Sequence, residues 1–453
     1  MYTKVVLNSQ LSPIFAHQLW NNFMKHNIIT LANGIRVLHT YIPYTRAVHC
    51  GFVLHVGSRD DGQQPGMAHF LEHILFKGTA RRKTFHILNY LESVGGDLNA
   101  YTTKEKLCLY ASLAAEYAGR ATELLTDITF GSVFPEKEIE KEKQVISEEI
   151  DMYRNVPDEA IFEDFDELIF PGHELGHPIL GSKQSIHSIR REDIQAFVGR
   201  HFSGDRIVYS IVGNVTEKQV TRLVDKYLRP LQLPAPAMKR TPPPPLQAQI
   251  KSKPIATNQT HEILGGRSYP FRNRKYIPFL LVNNLLGGNA MNSRLNLNIR
   301  EKYGLTYNIS SFFSPYTDSG AWGVYFACEP TNHGRVRRLV MRELRKLREQ
   351  KVGVLRLNQA KKQLCGQLTL SYENLLTQML SNAKELLTFG EVVPFPTYLS
   401  WVEAVKAEDL LEVANELYQP EAISIITYEG NTRLNGHSLA GEAESKSATL
   451  TSS

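Results

Sequence analysis

His69, Glu72 and His73 fall together in the run His69-Phe70-Leu71-Glu72-His73. On a helix, positions i and i+4 lie one turn apart on the same face, with i+3 beside them. Two imidazoles so placed can grip one Zn²⁺ while a carboxylate stands next to the open coordination position. That is the donor set for a metal-activated water with its general base. The order H-x-x-E-H inverts the ordinary H-E-x-x-H zinc motif. Met67, Phe70, Leu71, Ile74 and Leu75 are helix-compatible apolar residues, no proline interrupts from Gly66 to Lys77, and Gly78 supplies a stop. The plain alternative is a core helix with two satisfied histidines. Three titratable residues on one face argue against it.

A second motif, His173-Glu174-Leu175-Gly176-His177, has the ordinary zincin order. Its surroundings do not suit a helix. Pro171-Gly172 precedes it, Pro178 follows His177 directly, and a residue before proline is pushed out of the helical region. Gly176 weakens the turn further, so the segment reads as a loop.

Zinc catalysis wants a third protein ligand and a water. A helix predicted from Pro135 to about Asn155 offers Glu142 and Glu149, two turns apart on one face, with Val145 and Ile146 between them. A solvated helix face built from Lys141, Lys143 and Glu148 remains an alternative reading of the same spacing.

The elements that would position these residues mix periods of two and 3.6. Val48, Cys50, Phe52, Leu54 and Val56 alternate with His49, Gly51, Val53 and His55, as in a strand. Leu107–Leu113 and Trp322–Cys328 alternate likewise, and helical stretches cover 83–93 and 115–130. The chain also repeats itself. A helix opening at Glu192-Asp193-Ile194, followed by the strand Ile207–Val212 and Gly213-Asn214, recurs as Glu408-Asp409-Leu410, Ile423–Tyr428 and Gly430-Asn431. The offset is 216 residues, with one extra by the final Gly-Asn, which indicates duplication. Pro234, Pro236 and Pro242–Pro245 mark an extended spacer between the copies. The expected fold is α+β, two homologous domains, each an antiparallel-rich sheet with helices packed on one face. The expected boundaries are an extension over 1–25, a metal-binding domain over 26–230, a Pro-rich linker over 231–248, a second domain over 249–430 and a disordered tail over 431–453.

At 453 residues, 42% hydrophobic and 21% charged, the chain is of ordinary globular composition and long enough for two domains. Its net charge of +5 is spread along the sequence, which gives no nucleic-acid footprint. No apolar run is long enough for a membrane span. Cys50, Cys108, Cys328 and Cys365 lack C-x-x-C spacing and read as free thiols, suiting a reducing, cytoplasmic compartment. No Asp or Glu precedes Asp60, and the first Arg is Arg36. The first residues therefore fit neither an Arg-rich presequence nor a secretory signal. They read as a disordered extension or as sequence before a start at Met24.

The segment Gly66–Thr79, GMAHFLEHILFKGT, resembles the zinc-site helix of the pitrilysin-type inverzincin peptidases. It is most similar to the small-subunit branch that includes mitochondrial processing peptidase and bacterial processing-peptidase-like proteins. The resemblance covers roughly residues 26–430. In that family the third ligand is a Glu as far beyond the second His as Glu149 is beyond His73, within VISEEIDMYRN, with Glu148 adjacent. Glu142 matches the family's second, assisting carboxylate. GGNAMNSRLNLNIREKYGLTYNI, over 287–309, resembles the second-domain segment whose Arg and Tyr contact substrate and steady the tetrahedral intermediate, here Arg300 and Tyr307. Asn99-Ala100-Tyr101 resembles the edge strand to which extended peptides add. Aligning Gly78 with Gly288 puts Phe279, Val282 and Asn283 at the metal-helix positions of the second half, which cannot bind zinc there.

The resemblance thus implies a zinc metalloendopeptidase with one Zn²⁺ per chain, held by His69, His73 and Glu149. Glu72 is the general base and Glu142 orients a ligand His. Asn99, Ala100, Arg300 and Tyr307 hold the peptide. It also implies peptide substrates cleaved in a closed dimeric chamber. Because the chain carries both the zinc set and the Arg/Tyr pair, a homodimer is expected, each site using the partner's Arg and Tyr. Two alternatives come with the family. One is a non-catalytic structural or assembly subunit. The other is a presequence-processing heterodimer, whose partner subunit typically carries a Gly-rich loop not found here.

Overall fold

The structure, a computed structural model, describes residues 26–236 and 239–431. The expected N-terminal extension, the tail beyond Asn431, and Ala237 and Met238 of the Pro-rich stretch lie outside them. The first half of the chain runs β1 (His26–Thr30), β2 (Arg36–Tyr41), β3 (Ala47–Leu54), α1 (Met67–Ile74), α2 (Thr84–Glu92), β4 (Asp97–Thr102), β5 (Leu107–Ala114), α3 (Ala118–Phe130), α4 (Glu136–Arg154), α5 (Pro157–Ile169), α6 (Lys183–Ser188), α7 (Arg191–His201), β6 (Ile207–Gly213) and α8 (Glu217–Leu223). The second runs β7 (Ile250–Pro254), β8 (Thr260–Arg267), α9 (Tyr276–Gly287), β9 (Thr306–Pro315), β10 (Gly320–Cys328), α10 (His333–Glu349), α11 (Val354–Tyr372), α12 (Leu375–Phe389), α13 (Phe395–Ala404), α14 (Ala407–Leu417) and β11 (Ser424–Glu429).

The strands form a sheet in the order β1-β2-β6-β3-β5-β4 and another in the order β7-β11-β8-β10-β9. Each has one parallel pair, β2–β6 or β7–β11, and is otherwise antiparallel. Without β1 the two orders correspond strand for strand. The repeat read from α7–β6 and α14–β11 therefore extends across both sheets, and the α+β duplication is the architecture of the chain.

Strand alternation gives each sheet two buried faces. In the first, Phe52 meets Phe130 of α3 at 5.2 Å and Tyr209 at 5.0 Å. The next residues in register, Val53 and Val208, point the other way and pack with Leu38 and Cys108 against Ala383 and Leu386 of α12. The second sheet does the same. Trp322 contacts Tyr418 at 4.5 Å on one side, while Ile263, Tyr325 and Tyr428 pack against Ile161, Phe165 and Leu168 of α5 on the other. Gly323 makes room on that face, since a Cβ there would come within 2.5 Å of the Phe312 ring on which Phe162 and Phe165 of α5 rest. The helices that each half keeps for its own sheet cover one face, as expected. The opposite face is closed by a helix from the other half of the sequence.

Accordingly neither compact unit is continuous in sequence. Among the described residues, one comprises 26–144, 184–236 with 239, and 368–400; the other comprises 145–183, 240–367 and 401–431. Helix α4 continues without a break from one into the other. Cys50, Cys108 and Cys328 are buried, Cys365 is half-buried, and none of the four is in a disulfide. Among the described residues no helix is long and apolar enough to cross a membrane.

The exchanged helix α12 carries a titratable group whose cost is measurable. Burial pushes the Glu385 carboxyl up to about 7, against a hydrogen bond donated by the Val393 amide at 3.2 Å. A raised folded-state pKa means that the unfolded chain gives up this proton first. Stability is thus lost as pH rises from the ordinary carboxylate range to about 7, and then levels off. Glu385→Gln keeps the acceptor and removes the charge. It is expected to stabilise the protein by roughly 2–3 kcal/mol at pH 8 and by almost nothing at pH 4. Thermal melts at the two pH values check this, and equal melting shifts at both would refute it.

Candidate functional site

Helix α1 is launched by a loop rich in buried charge. The Asp61 carboxylate accepts the Gly66 amide at 2.7 Å and the Ala68 amide at 2.9 Å, satisfying donors that the first turn leaves open. Gly66 sits at φ 94°, a left-handed conformation that side-chain-bearing residues rarely adopt. Arg59 and Glu105 form a buried ion pair at 2.7 Å, and Arg206 reaches Asp60 at 2.9 Å. Burial pushes the Asp61 carboxyl well above its usual range, and the two amides oppose that.

The helix so started presents His69 and His73 on one side, with ring centroids 4.7 Å apart. Burial, then the neighbouring His73, pulls His69 down to about 3, so it is neutral at ordinary pH, as a metal ligand must be. Along α4 the buried stripe is Ile139, Glu142, Ile146 and Ile150. Glu142 therefore occupies a core position, only 3% exposed. Its carboxylate accepts from His73 Nδ1 at 3.1 Å and from Lys77 Nζ at 2.7 Å. Burial alone would raise the Glu142 pKa, but these two partners hold it below the usual value. An ionised carboxylate only accepts, so Nδ1 of His73 carries the proton and Nε2 is left as the donor atom for a metal.

Two turns along α4, Glu149 completes the set. Donor atoms of His69, His73 and Glu149 all lie within 4.8 Å of one another. Two neutral imidazole nitrogens and one carboxylate oxygen are the donors of a three-ligand zinc site, so the residues present fit that metal. The neighbouring Glu148 is exposed, and so is Val145 at 47%, while Ile146 is buried. The helix is therefore turned differently from the apolar face expected between the two glutamates, and its register selects Glu149 over Glu148.

Glu72 is held from β4. The Thr102 hydroxyl donates to Glu72 Oε2 at 2.6 Å. β4 lies at the edge of its sheet, with Asn99 opposite Tyr110 and Ala100 opposite Leu109 on its one paired side. Among the described residues no strand pairs with its other side, where an extended chain can add. Arg300 and Tyr307 come together in the second unit, the guanidinium 5.3 Å from the ring centroid. Tyr307 is 81% exposed.

His173 and His177 flank a single tight turn, Glu174–Gly176, and not a helix. His173 Nδ1 accepts the Leu175 amide at 3.1 Å, and Nε2 meets the Thr241 carbonyl at 3.0 Å. Phe279, Val282 and Asn283 are buried within α9. Thr102, Lys77 and Asp61 were not found from the sequence. Only the four-residue step from His73 to Lys77 hinted at any of them.

The chain is similar to known proteins over most of its length. Residues 36–183 match the model described as Insulinase (Peptidase family M16), and 188–364 match Peptidase M16 inactive domain. The chain is 30% identical over 404 residues to "Uncharacterized zinc protease YmxG" of Bacillus subtilis, covering 89% of this chain and 98% of that one. It is 32% identical over 413 residues to an "Uncharacterized zinc protease" of Rickettsia felis, covering 88% and 97%. A protease structure from Helicobacter pylori shares the fold with a TM-score of 0.83 at 20% identity, covering 89% of this chain and 99% of that one. A peptidase M16 inactive domain structure from Pseudomonas fluorescens has the same TM-score and identity, covering 90% and 98%.

The Lys77–Glu142–His73 chain is open to a direct test. Because the Glu142 pKa is depressed by its partners, their contribution is present above the ordinary carboxylate range and lost as pH falls through the depressed value. Lys77→Met leaves the buried carboxylate with one partner fewer. It is expected to destabilise by about 1–2 kcal/mol at pH 7, with the difference from wild type vanishing in acid. Denaturant unfolding at several pH values reads this directly. A deficit that does not change with pH would show that Lys77 acts through packing alone.

Proposed function

The chain belongs to peptidase family M16, and from that premise we propose that it is a zinc-dependent endopeptidase acting on unfolded peptides or short protein segments. The observation that carries this reading is the convergence of His69, His73 and Glu149 donor atoms within 4.8 Å beside a carboxylate, Glu72, held in place from the edge strand. The names of the relatives support it.

His69, His73 and Glu149 would hold Zn²⁺, which would supply a Lewis acid for the scissile carbonyl and lower the pKa of a water toward neutrality. The chain's own residues do the rest. Glu72 accepts the proton of the attacking water on its carboxylate and delivers it to the leaving amine nitrogen. The Thr102 hydroxyl, donating to Oε2, holds that carboxylate in place. Glu142 keeps the His73 proton on Nδ1. The peptide backbone adds to the free side of β4 at Asn99 and Ala100, which sets the register of the scissile bond. Arg300 and Tyr307 anchor the peptide and stabilise the developing oxyanion. Carrying both sets of residues, the chain is read as a homodimer whose closed chamber admits unfolded peptides.

Zinc content measured alongside cleavage of a quenched fluorescent peptide tests the reading. Wild type should hold about one zinc per chain and cleave. Glu72→Gln should keep the metal and lose activity by a factor on the order of 10²–10⁴. His173→Ala should change neither. Wild-type protein that takes up no zinc and cleaves nothing would instead make it a non-catalytic subunit of this fold.

A further inference from the structure

The outward side of α10 carries Arg335, Arg338, Arg342, Arg345 and Arg348, spaced at three or four residues, so they line one side of the helix over about 20 Å. With Arg337 they rim a cleft of about 590 Å³ whose floor includes Leu344 and Tyr418. Like charges at this spacing repel. Elsewhere the chain avoids that arrangement: on α4, Lys141 pairs with Glu138 and Lys143 with Glu140.

Here the compensation is missing. Among the described residues no carboxylate forms an ion pair with Arg335, Arg338, Arg342 or Arg348. Arg345 reaches Glu349 only at 3.9 Å, and Arg337 is taken by Glu262. Glu343, the acid within the row, is buried against Arg294 and Lys346. Arg335 lies 5.2 Å from the Tyr303 ring centroid, and Arg342 bonds the Tyr303 hydroxyl. Independently of the charge, Tyr418 is only 1% exposed, and its hydroxyl has no hydrogen-bond partner among the described residues. The same holds for the buried Nε atoms of Arg342 and Arg348. Unmet buried donors beside uncompensated charge mark a place where a ligand completes the structure.

We propose that this cleft binds an acidic stretch of a peptide chain, with carboxylates on the arginine row and an apolar side chain against the floor. The guanidinium fork matches a carboxylate in shape. The row is as long as about six extended residues, and alternating acidic and apolar residues place all the acids on one side of such a chain. The proposal concerns binding only and stands whether or not the chain hydrolyses peptides.

The test is fluorescence anisotropy on the full chain with a short labelled peptide of alternating Glu and Leu. Its Lys-for-Glu counterpart and inorganic tripolyphosphate serve as comparators, and Glu72→Gln protein keeps the probe intact. The acidic peptide should bind, the basic one should not, and added salt should weaken binding. The double variant Arg338→Glu/Arg342→Glu should lower affinity roughly tenfold or more. Tyr418→Phe, which removes only the unpartnered hydroxyl, should weaken binding several-fold while leaving the melting temperature unchanged or higher. Absence of acidic-peptide binding would overturn the proposal, as would binding indifferent to the charge reversal in protein that still melts cooperatively. Tripolyphosphate binding without peptide binding would assign the cleft to phosphate compounds instead.

Discussion

Glu142 sits where an isoleucine would ordinarily be, on the buried stripe of α4 between Ile139 and Ile146. An ionised carboxylate in that position is tolerated only because Lys77 and His73 both bond it, since a buried charge left unpaired costs several kcal/mol. The consequence is geometric. The same two bonds tie the end of α1 to α4 and fix the rotation of the His73 ring. Glu149 lies two helical turns further along α4, and its carboxylate comes within 4.8 Å of the histidine donor atoms. The other end of α1 is set by Asp61 and by the buried pairs Arg59–Glu105 and Arg206–Asp60. The placement of His69 and His73 therefore depends on linkages at both ends of α1.

This dependence explains what the sequence did and did not disclose. The histidine pair and Glu72 were legible because their relation is local, one turn of one helix. So was the false motif at His173, whose flanking prolines forbid the helix it would need. The choice between Glu148 and Glu149 turns on helix rotation. The stripe Ile139, Ile146 and Ile150 contains that rotation, but Val145, apolar and exposed, obscured it. Thr102 and Lys77 were not legible. Their roles come from tertiary contacts, and a threonine in a strand or a lysine after a helix has many ordinary uses. The duplication was readable from α7–β6 and α14–β11. The exchange of α5 and α12 was not, because an amphipathic pattern shows that a helix face is buried without naming the sheet that buries it.

The exchange also bears on how the halves can diverge. Each sheet is closed by a helix from the other copy, so the frame of one half depends on sequence in the other. Within that shared frame the metal positions were free to change. The second half holds Phe279 and Val282 in its core where the first holds His69 and Glu72. Matched end to end with α4, the equally long α11 places Ala360 and Gln367 at the positions of Glu142 and Glu149. Phe279 packs edge-on against Phe313 at 4.9 Å and against Tyr269 at 5.9 Å, an apolar solution to the same space.

That comparison says something about the first half. Replacing a buried ionic cluster by well-packed apolar residues is commonly neutral or stabilising. The second copy shows that this fold accommodates the replacement. Stability alone would therefore not retain a neutral histidine, a core carboxylate and a half-buried lysine around α1, nor would it hold Glu72 against a threonine on an open sheet edge. A requirement outside folding accounts for them. Under the function proposed above, that requirement is metal-assisted hydrolysis of a chain lying along β4, which two imidazoles, a carboxylate ligand and an adjacent positioned base would meet.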